Sequence, residues 1–427
     1  PGSEAFQSQE EWARRAAEVL PGAGFGNFDP SVFIKEGKGA RVIDEDGNAF
    51  IDYLIGSGPM ILGHSHPEVL EAVYEQIPQG QTFFANSTPG VELAEEIVRA
   101  MACAEQVRYV CTGSEADMYA MRLARAYTGR PKIVKFEGGY HGMSNEAQMS
   151  LAPTRMVNFP AAVMDSAGLP ESLHAEMLIA PYNDAEFIAS LMAEHGHEVA
   201  GIIVEPLQRI IPPEPRFLEM LRALCDEHGA LLIFDEVVTG FRFAYGGAQA
   251  HYGVTPDLCT LGKVIGGGFP LAAIAGPREV MKHFDKAAVG AEGWLMQLGT
   301  LSGNPIAAVA GLKTMEILRR EGQYERFRAI GERLMASVSA ALSAEGVAHR
   351  IVGDPTLFDI VFTDAPVRNY RDTISGDKDA AARFNATMRA EGILKPPTKL
   401  YVSLALGEAE LEETEAAFAK AARAAAG

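Results

Sequence analysis

Between residues 65 and 320, short apolar runs alternate with stretches of helical periodicity, and this alternation constrains the fold more than any other feature of the chain. Strands separated by helices are typical of crossover connections, which place successive strands parallel in one sheet. We therefore predict an α/β fold with a mostly parallel sheet and a functional site at the carboxyl ends of the strands. The predicted strands include 107–111, 132–136, 201–205, 230–235 and 271–276.

The segments on either side of this region have a different pattern. Residues 6–21 have the periodicity of an amphipathic helix, and residues 40–53 predict a hairpin around an Asp-Gly turn. After residue 320, long helical patterns flank short apolar strands. We predict three parts: an N-terminal segment that packs with the small domain (1–64), a large domain (65–320) and a small α+β domain (321–427).

Composition limits the partners and the compartment. The formal net charge is −19 and the sequence has no basic stretch, which argues against binding to nucleic acid or to anionic membranes. The four cysteines lack Cys-x-x-Cys spacing and there is no His-Glu-x-x-His pattern, so we expect free thiols and no metal site. No apolar run spans a bilayer and no leader pattern opens the sequence, so we expect a cytoplasmic protein.

Two charged residues stand where apolar strands end. Lys263 follows the run 257–262 and precedes three glycines, and Asp235 ends the run 230–234. A lysine held in apolar surroundings favours the uncharged amine that a Schiff base requires, and a carboxylate can hold a proton on a pyridine nitrogen. The pair indicates a site for pyridoxal phosphate. Each residue alone has an ordinary interpretation, as a solvated loop lysine or an acid that ends a strand.

Further segments could complete such a site. Residues 109–117 predict a strand, a turn and a helix start, where Gly113 and Ser114 could bind a phosphate and where Ser114 and Asp117 could form a capping box. Tyr140, in a glycine-rich loop, could stack on a flat ring. An ordinary capped helix and a surface tyrosine are the alternatives. Gln208, after the strand that ends at Glu205, could donate to a phenolic oxygen, and the loop 299–305 around Thr300 could bind a phosphate.

Taken together, these segments resemble the class III pyridoxal-phosphate-dependent aminotransferases, and within them the glutamate-1-semialdehyde 2,1-aminomutases. The resemblance covers nearly the whole chain and rests on six ordered segments: 58–67, 113–116, 136–142, 235–242, 261–263 and 299–305. It implies the aspartate-aminotransferase-like fold, fold type I, with a seven-stranded sheet. It also implies a homodimer with shared active sites.

The resemblance assigns roles by position. Lys263 would form the Schiff base, Asp235 would pair with the ring nitrogen, and Val237 and Tyr140 would lie on opposite faces of the ring. Thr300 would reach the phosphate of the cofactor in the neighbouring subunit. The remaining residues that we expect to contact the cofactor are Gly113, Ser114, Glu205 and Gln208. The cofactor would alternate between pyridoxal phosphate and pyridoxamine phosphate.

The sequence departs from the aminomutases around the substrate. They grip the substrate carboxylate with an arginine in the N-terminal segment, whereas residues 21–29 here contain no arginine, and Ser57 stands near the position of a pocket tryptophan. Arg209, Lys395 and Lys399 occupy positions that differ from that family, so we expect one of them to bind a substrate anion. Surface cations with packed aliphatic stems are the alternative. Phe28 and Ser57 are the further candidates for the substrate pocket.

These departures favour an aminotransferase that uses two small molecules in turn, an amine or amino acid and a keto acid or aldehyde. A β- or ω-amino acid or an arylalkyl amine would suit the altered pocket. The alternatives are an intramolecular aminomutase, a lyase or epimerase on the same fold, and a cofactor-binding protein without turnover. A nicotinamide dehydrogenase is disfavoured, because the glycines at 266–268 follow a lysine and do not open a Gly-x-Gly-x-x-Gly unit.

Overall fold

Strands and helices alternate through most of the chain in this computed structural model, which describes residues 8–427. The strands are β1 (Ile34–Lys38), β2 (Arg41–Asp44), β3 (Ala49–Asp52), β4 (Gln106–Val110), β5 (Lys132–Phe136), β6 (Met177–Ala180), β7 (Val199–Val204), β8 (Leu231–Asp235), β9 (Leu258–Leu261), β10 (Ala272–Gly276), β11 (Arg350–Asp354), β12 (Leu357–Val361), β13 (Ile393–Leu394) and β14 (Leu400–Tyr401). The α-helices are α1 (Gln9–Val19), α2 (Pro67–Gln76), α3 (Thr88–Ala100), α4 (Gly113–Thr128), α5 (Ala185–His195), α6 (Phe217–His228), α7 (Gly247–Tyr252), α8 (Arg278–Met281), α9 (Lys286–Gly293), α10 (Pro305–Leu318), α11 (Gln323–Ala344), α12 (Tyr370–Ile374), α13 (Lys378–Ala390) and α14 (Glu408–Ala426).

The central sheet has seven strands in the order β4-β10-β9-β8-β7-β5-β6. The pairs from β9 to β6 are parallel, and β10 runs antiparallel to both of its neighbours. Six strands therefore run in one direction. The predicted α/β fold with a mostly parallel sheet is confirmed.

Strands β7 to β10 form the buried middle of this sheet, and every one of their residues is buried. Such continuous apolar strands are typical of parallel sheets covered by helices on both faces. Asp235, the last residue of β8, is the charged residue among these four strands. It brings a carboxylate to the carboxyl end of a strand that is otherwise apolar.

Two smaller sheets use the ends of the chain. The predicted hairpin is confirmed as the antiparallel pair β2 and β3, which belongs to a sheet of order β1-β2-β3-β13. Strand β13 pairs in parallel with β3, so that Ile393 lies opposite Ile51. The other sheet, β11-β12-β14, is antiparallel, and α11 and α13 both pack against α14. The N-terminal hairpin and the C-terminal part of the chain thus share one sheet. The predicted helix over 6–21 is shorter in the structure, and residues 6 and 7 lie outside the described part.

One lysine is buried inside the large sheet. Lys135 of β5 is fully buried, and its Nζ donates to the carbonyl oxygens of Ala147 (2.7 Å) and Met149 (2.8 Å). Burial lowers its pKa from 10.5 to about 7, against the opposing charges of Glu205 and Asp165. The ammonium ties the loop after the strand to the sheet.

Among residues 8–427, every helix is too short or too polar to cross a membrane.

Candidate active site

A cavity of about 940 Å³ opens at the carboxyl ends of the parallel strands, as predicted for this fold. Its walls come from three regions of the chain: the N-terminal segment, the central sheet with its loops, and the segment before β14. It brings together most of the residues that the sequence singles out. Those that line it are Phe28, Ser57, Gly113, Ser114, Tyr140, Glu205, Arg209, Asp235, Val237, Lys263 and Lys399.

Lys263 begins the turn after β9 and is half-buried in the wall of this cavity. Its φ is +49°, in the left-handed region that costs a residue with a side chain free energy. Gly58 lies directly against it, since a Cβ atom at Gly58 would come within 3.2 Å of both Lys263 Cδ and Tyr401 Cε1. The backbone thus directs the lysine toward the place where the N-terminal and C-terminal segments meet.

Asp235 is 5% exposed and accepts hydrogen bonds from two directions. His141 Nδ1 lies 2.8 Å from Asp235 Oδ2, and the Val237 amide donates to Asp235 Oδ1 at 3.1 Å. A histidine ring nitrogen that carries its proton can donate to a carboxylate, and Nδ1 of His141 is placed to do so. These bonds hold the carboxylate in one orientation at the cavity wall.

The start of α4 differs from the predicted capping pattern. The N-cap is Thr112, and its side chain forms a capping box with Glu115, so the expected pairing of Ser114 with Asp117 is wrong. The reason is that the N-cap is Thr112, two residues before Ser114, so the helix begins two residues earlier than the pattern suggested. Ser114 instead accepts a hydrogen bond from the Met143 amide at 3.2 Å. The Gly113 and Ser114 amides lie in the first turn, where N–H groups have no carbonyl partner within the helix and can bind an anion.

Glycine at 142 allows the loop after β5 to approach this helix. A Cβ atom there would lie 2.4 Å from Ser114 Cα, so a larger residue would push the loop away. The same loop carries Tyr140, whose amide donates to Glu205 Oε2 at 2.8 Å. The other oxygen of Glu205 accepts from the Arg209 amide at 3.4 Å. Glu205 therefore fixes the backbone on both sides of the cavity.

The loop that carries Tyr140 is also held by α12. Arg371 donates two hydrogen bonds to Glu137, at 2.7 and 2.9 Å, and the Glu137 carboxylate is buried. This ion pair raises the pKa of Arg371. Tyr370 packs against Gly138, where a Cβ atom would come within 2.5 Å of its ring. Contacts from the C-terminal part of the chain thus support one wall of the cavity.

Three predicted site residues do not line the cavity. Gln208 is buried nearby and donates to the Glu137 carbonyl at 2.8 Å, which leaves its Oε1 without a protein partner among the described residues. The free atom of this amide is thus an acceptor, whereas the sequence suggested a donor. Thr300 lies on an exposed loop, and its carbonyl accepts from Thr82 Oγ1 at 3.3 Å.

Lys395 is the third of these residues. Its ammonium is buried, bonded to Asn385 Oδ1 at 2.8 Å and paired with Asp359 at 3.4 Å. Burial lowers the pKa of Lys395 and raises that of Asp359, and each charge opposes the shift of the other. The candidate cations for substrate therefore reduce to Arg209 and Lys399.

Arg209 and Lys399 concentrate positive charge in the cavity. The Arg209 guanidinium lies over the Tyr140 ring, 5.1 Å from its centroid. Lys399 is 9% exposed, and burial lowers its pKa, with Tyr401 opposing the shift and Arg209 and Lys263 adding to it. Burial pushes the pKa of Tyr401 upward, but the nearby Lys399 and Lys263 outweigh it and leave that pKa below 10. An anion that enters beside these two side chains would be attracted by their positive charges.

Sequence reasoning missed three residues of the site: Asp117, His141 as the partner of Asp235, and Tyr401. A signal was available for Asp117, because it shares one face of α4 with Ala120, Met121 and Ala124, all buried. A carboxylate on an apolar helix face indicates a paired or protonated group. No comparable pattern marks Tyr401, which ends a two-residue strand.

The residues present fit pyridoxal phosphate. One cavity holds a lysine amine, a buried carboxylate, the amino end of a helix and a tyrosine ring. The close contact of Gly113 with Val237, where a Cβ atom would meet Cγ1 at 2.9 Å, packs the anion-binding turn against the side chain expected to lie on one ring face. A phosphorylated pyridine aldehyde presents the complementary groups.

Comparisons with known proteins agree with this arrangement. A family model described as "Aminotransferase class-III" matches residues 26–421. The glutamate-1-semialdehyde 2,1-aminomutase of Methanopyrus kandleri is 40% identical, with 97% of each chain covered. An omega-transaminase from Sphaerobacter thermophilus has a similar structure, with a TM-score of 0.92, 34% identity and 99% of each chain covered. A beta-phenylalanine aminotransferase from Variovorax paradoxus follows with a TM-score of 0.86 and 30% identity, covering 96% of this chain and 93% of its own.

Proposed function

The chain belongs to the class III aminotransferases, and from this premise we propose that it transfers an amino group between two separate small molecules. The donor would be an amine or amino acid and the acceptor a keto acid or aldehyde, used in turn by a ping-pong mechanism. The observation that carries this proposal is the position of Arg209 and Lys399 in the cavity of Lys263, while residues 21–29 contain no lysine or arginine.

Each residue of the site has a proposed task with pyridoxal phosphate. The bound cofactor supplies a carbonyl group that reacts with amines and a ring that withdraws electrons. Asp235 holds a proton on the ring nitrogen, and the amides of Gly113 and Ser114 bind the phosphate. Lys263 attaches the cofactor and then moves a proton at the substrate carbon that bears the amino group.

The substrate pocket would take an amine that carries an anionic group. Arg209 and Lys399 both line the cavity, and the ordinary partner of a buried cation is a carboxylate or another anion. Phe28 and Ser57 line the side formed by the N-terminal segment. A β- or ω-amino acid would place its carboxylate at a distance from the reacting amine, and the omega-transaminase and the beta-phenylalanine aminotransferase support this substrate class.

The visible absorption spectrum of the protein loaded with pyridoxal phosphate tests the proposal. Single β-, ω- and α-amino acids and arylalkyl amines are added in turn, without an acceptor. We expect β- or ω-amino acids to convert the cofactor to its pyridoxamine form, and a keto acid to restore the original spectrum. A spectrum unchanged by every amine would reject amino transfer between two substrates.

Intramolecular amino transfer is a second candidate, favoured by the 40% identity with an aminomutase. It would require no second substrate, and the enzyme would begin in its pyridoxamine form. Incubating that form with glutamate-1-semialdehyde alone distinguishes the two reactions. Sustained turnover would favour the mutase, and a single stoichiometric conversion of the cofactor would favour the aminotransferase.

We also propose a homodimer whose two active sites each take Thr300 from the other subunit. Thr300 is exposed and lies outside the cavity of its own chain, on a loop with the exposed apolar residues Leu298 and Leu301. Phe83 and Phe84 are also exposed, next to Thr82, which donates to the Thr300 carbonyl. Exposed apolar residues grouped in this way are typical of a surface covered by a partner.

A further inference from the structure

Two buried carboxyl groups face each other at the base of the cavity. Asp117, from α4, is 2% exposed, and Asp235, at the end of β8, is 5% exposed. An oxygen of each and a ring nitrogen of His141 all lie within 4.8 Å of one another. Thr260 links the two elements, because it pairs with Asp235 in the sheet and its hydroxyl donates to Asp117 Oδ1 at 2.6 Å.

The hydrogen-bond donors are distributed unequally between the two carboxyl groups. Asp235 receives the imidazole of His141 and the amide of Val237, whereas Asp117 receives the hydroxyl of Thr260. A carboxylate with more donors is the better place for a negative charge. Of the two, Asp235 is therefore the one that ionises, and Asp117 is the one that retains a proton.

The charges around Asp117 favour the same distribution. Asp235 and Glu205 are both acidic, and Tyr140 and His141 are the other titratable groups beside the pair, in a cavity that Lys263 and Arg209 also line. Burial raises the pKa of Asp117 well above its ordinary value, and the charge of Asp235 raises it further. Two carboxylates this close and this little exposed do not both ionise at neutral pH.

We propose that Asp117 is a positioning residue that keeps its proton and donates a hydrogen bond to Asp235, so that the pair carries one negative charge. This inference deepens the proposed function, since that charge lies where the ring nitrogen of pyridoxal phosphate would be held. The hydrogen bond would hold the Asp235 carboxylate in the orientation that pairs with the ring nitrogen. Asp117 acts through Asp235 and needs no contact with the substrate.

Infrared spectroscopy of the apoprotein tests the protonation directly. The C=O stretching band of un-ionised carboxylic acids is compared at pH 7 between the parent and Asp117→Asn. Glu236 is buried with a raised pKa and adds its own signal, so the difference spectrum is the measurement. We expect the parent to contain one acid band that Asp117→Asn lacks. An unchanged band would show that Asp117 is ionised and would overturn the proposal.

Cofactor affinity tests the hydrogen bond to Asp235. Asparagine keeps a donor and the acceptor for Thr260, so Asp117→Asn should bind pyridoxal phosphate within about twofold of the parent. Asp117→Leu removes the donor, and we expect binding about tenfold weaker. Equal affinities for the leucine variant and the parent, or equal losses in both variants, would contradict the proposal.

Two controls keep the test decisive. If Asp117→Leu does not fold, Thr260→Val replaces it: the acid band should persist, because this change removes a donor to Asp117 and leaves its proton in place. Metal analysis of the purified parent and of Asp117→Asn is the other control. A stoichiometric metal ion in the parent that the variant lacks would show that the pair binds a metal ion in place of a proton, and it would overturn the proposal. The infrared result does not depend on turnover, so failure of the proposed amino transfer would leave it unaffected.

Discussion

The guanidinium carbon of Arg209 lies over the ring of Tyr140, 5.1 Å from its centroid. Tyr140 is the residue expected on one face of the cofactor ring, so the same cation that we assign to the substrate is packed on the cofactor site. Glu205 strengthens this link, because one of its oxygens accepts from the amide of Tyr140 and the other from the amide of Arg209. We therefore expect the recognition of substrate and of cofactor to be coupled through these neighbouring residues.

Replacing Arg209 should weaken the binding of acidic substrates. We expect Arg209→Ala to raise KM for amino donors that carry a carboxylate by about tenfold or more, since a hydrogen bond to a charged group contributes about 1.5–3 kcal/mol. The KM of Arg209→Lys should lie between those of the parent and of Arg209→Ala, because lysine keeps the positive charge and lacks the planar guanidinium group. Steady-state kinetics check this. Arg216, exposed and outside the cavity, is the matched control, and equal KM values for Arg209→Ala and Arg216→Ala would exclude the role.

Replacing the two lysines of the segment before β14 should have different effects, one on substrate binding and the other on stability. Lys399→Met is expected to impair the binding of anionic substrates with little loss of stability. Lys395→Met leaves the buried Asp359 carboxylate without its cation, and we expect it to lower the free energy of unfolding by about 3 kcal/mol. Urea denaturation and kinetics measured on both variants separate these effects. Adding Asp359→Asn to Lys395→Met should recover much of the stability, and the absence of any recovery would argue against the ion pair.

Covalent attachment of the cofactor should depend on Lys263 alone. After borohydride reduction of the loaded protein, we expect mass spectrometry to find the cofactor on the peptide that contains Lys263. Lys263→Ala should lose this label and reduce turnover by at least about 10²-fold, the usual contribution of a general acid–base group. Lys399→Ala, which changes another lysine of the same cavity, is the control, and its Lys263 peptide should still carry the label. A label on Lys399 in the parent protein would show that Lys263 is not the residue that attaches the cofactor.

The free energy of unfolding should rise with pH above neutral because of Lys135. Its pKa is about 7 in the folded chain against 10.5 as the ordinary value, so between these values the unfolded chain binds more protons and stability rises with pH. Compared with Lys135→Met, the parent should gain up to about 1.4 kcal/mol per pH unit from pH 7 to 10. Unfolding measured at pH 7, 8 and 9 checks this. A constant difference between the two proteins would contradict the lowered pKa.

Mixed dimers test the role of Thr300. Thr300→Asp places a negative charge toward the phosphate that we expect in the partner's site, so its homodimer should bind pyridoxal phosphate about tenfold more weakly. In a hybrid with Lys263→Ala, one site combines an intact Lys263 with an intact Thr300. That hybrid should recover about half of the parent activity, which neither variant homodimer shows. If no recovery occurs in purified hybrids, Thr300 does not act across subunits.

The sequence alone predicts those parts of the candidate site that depend on strand order. Asp235 ends β8 and Lys263 follows the neighbouring β9 by two residues. Because the carboxyl ends of parallel strands meet at one edge of a sheet, the proximity of the two residues follows from the alternation of strands and helices. Lys395 and Lys399 show where this reasoning stops. Both follow the same apolar strand, and only the tertiary position of Asp359 decides that the first is neutralised and the second faces the cavity.

Helix α4 illustrates a second limit. Its N-cap lies two residues earlier than predicted, because Thr112 and Glu115 form the capping box, and Asp117 is therefore a buried neighbour of Asp235 and not part of a cap. Cap patterns are local and overlap, whereas burial depends on the whole fold. The role of Thr300 stays a prediction, since it concerns a second copy of the chain.

The pairing of β13 with β3 has a consequence for biosynthesis. The N-terminal hairpin is translated well before the strand beside it, because Ile393 follows the last residue of β3 by 341 positions (393 − 52). Phe28 and Ser57 belong to the N-terminal wall of the cavity, and Lys399 to the wall that follows β13. The cavity is therefore incomplete in the nascent chain until Lys399 has been translated, and we expect pyridoxal phosphate to be captured only after that point.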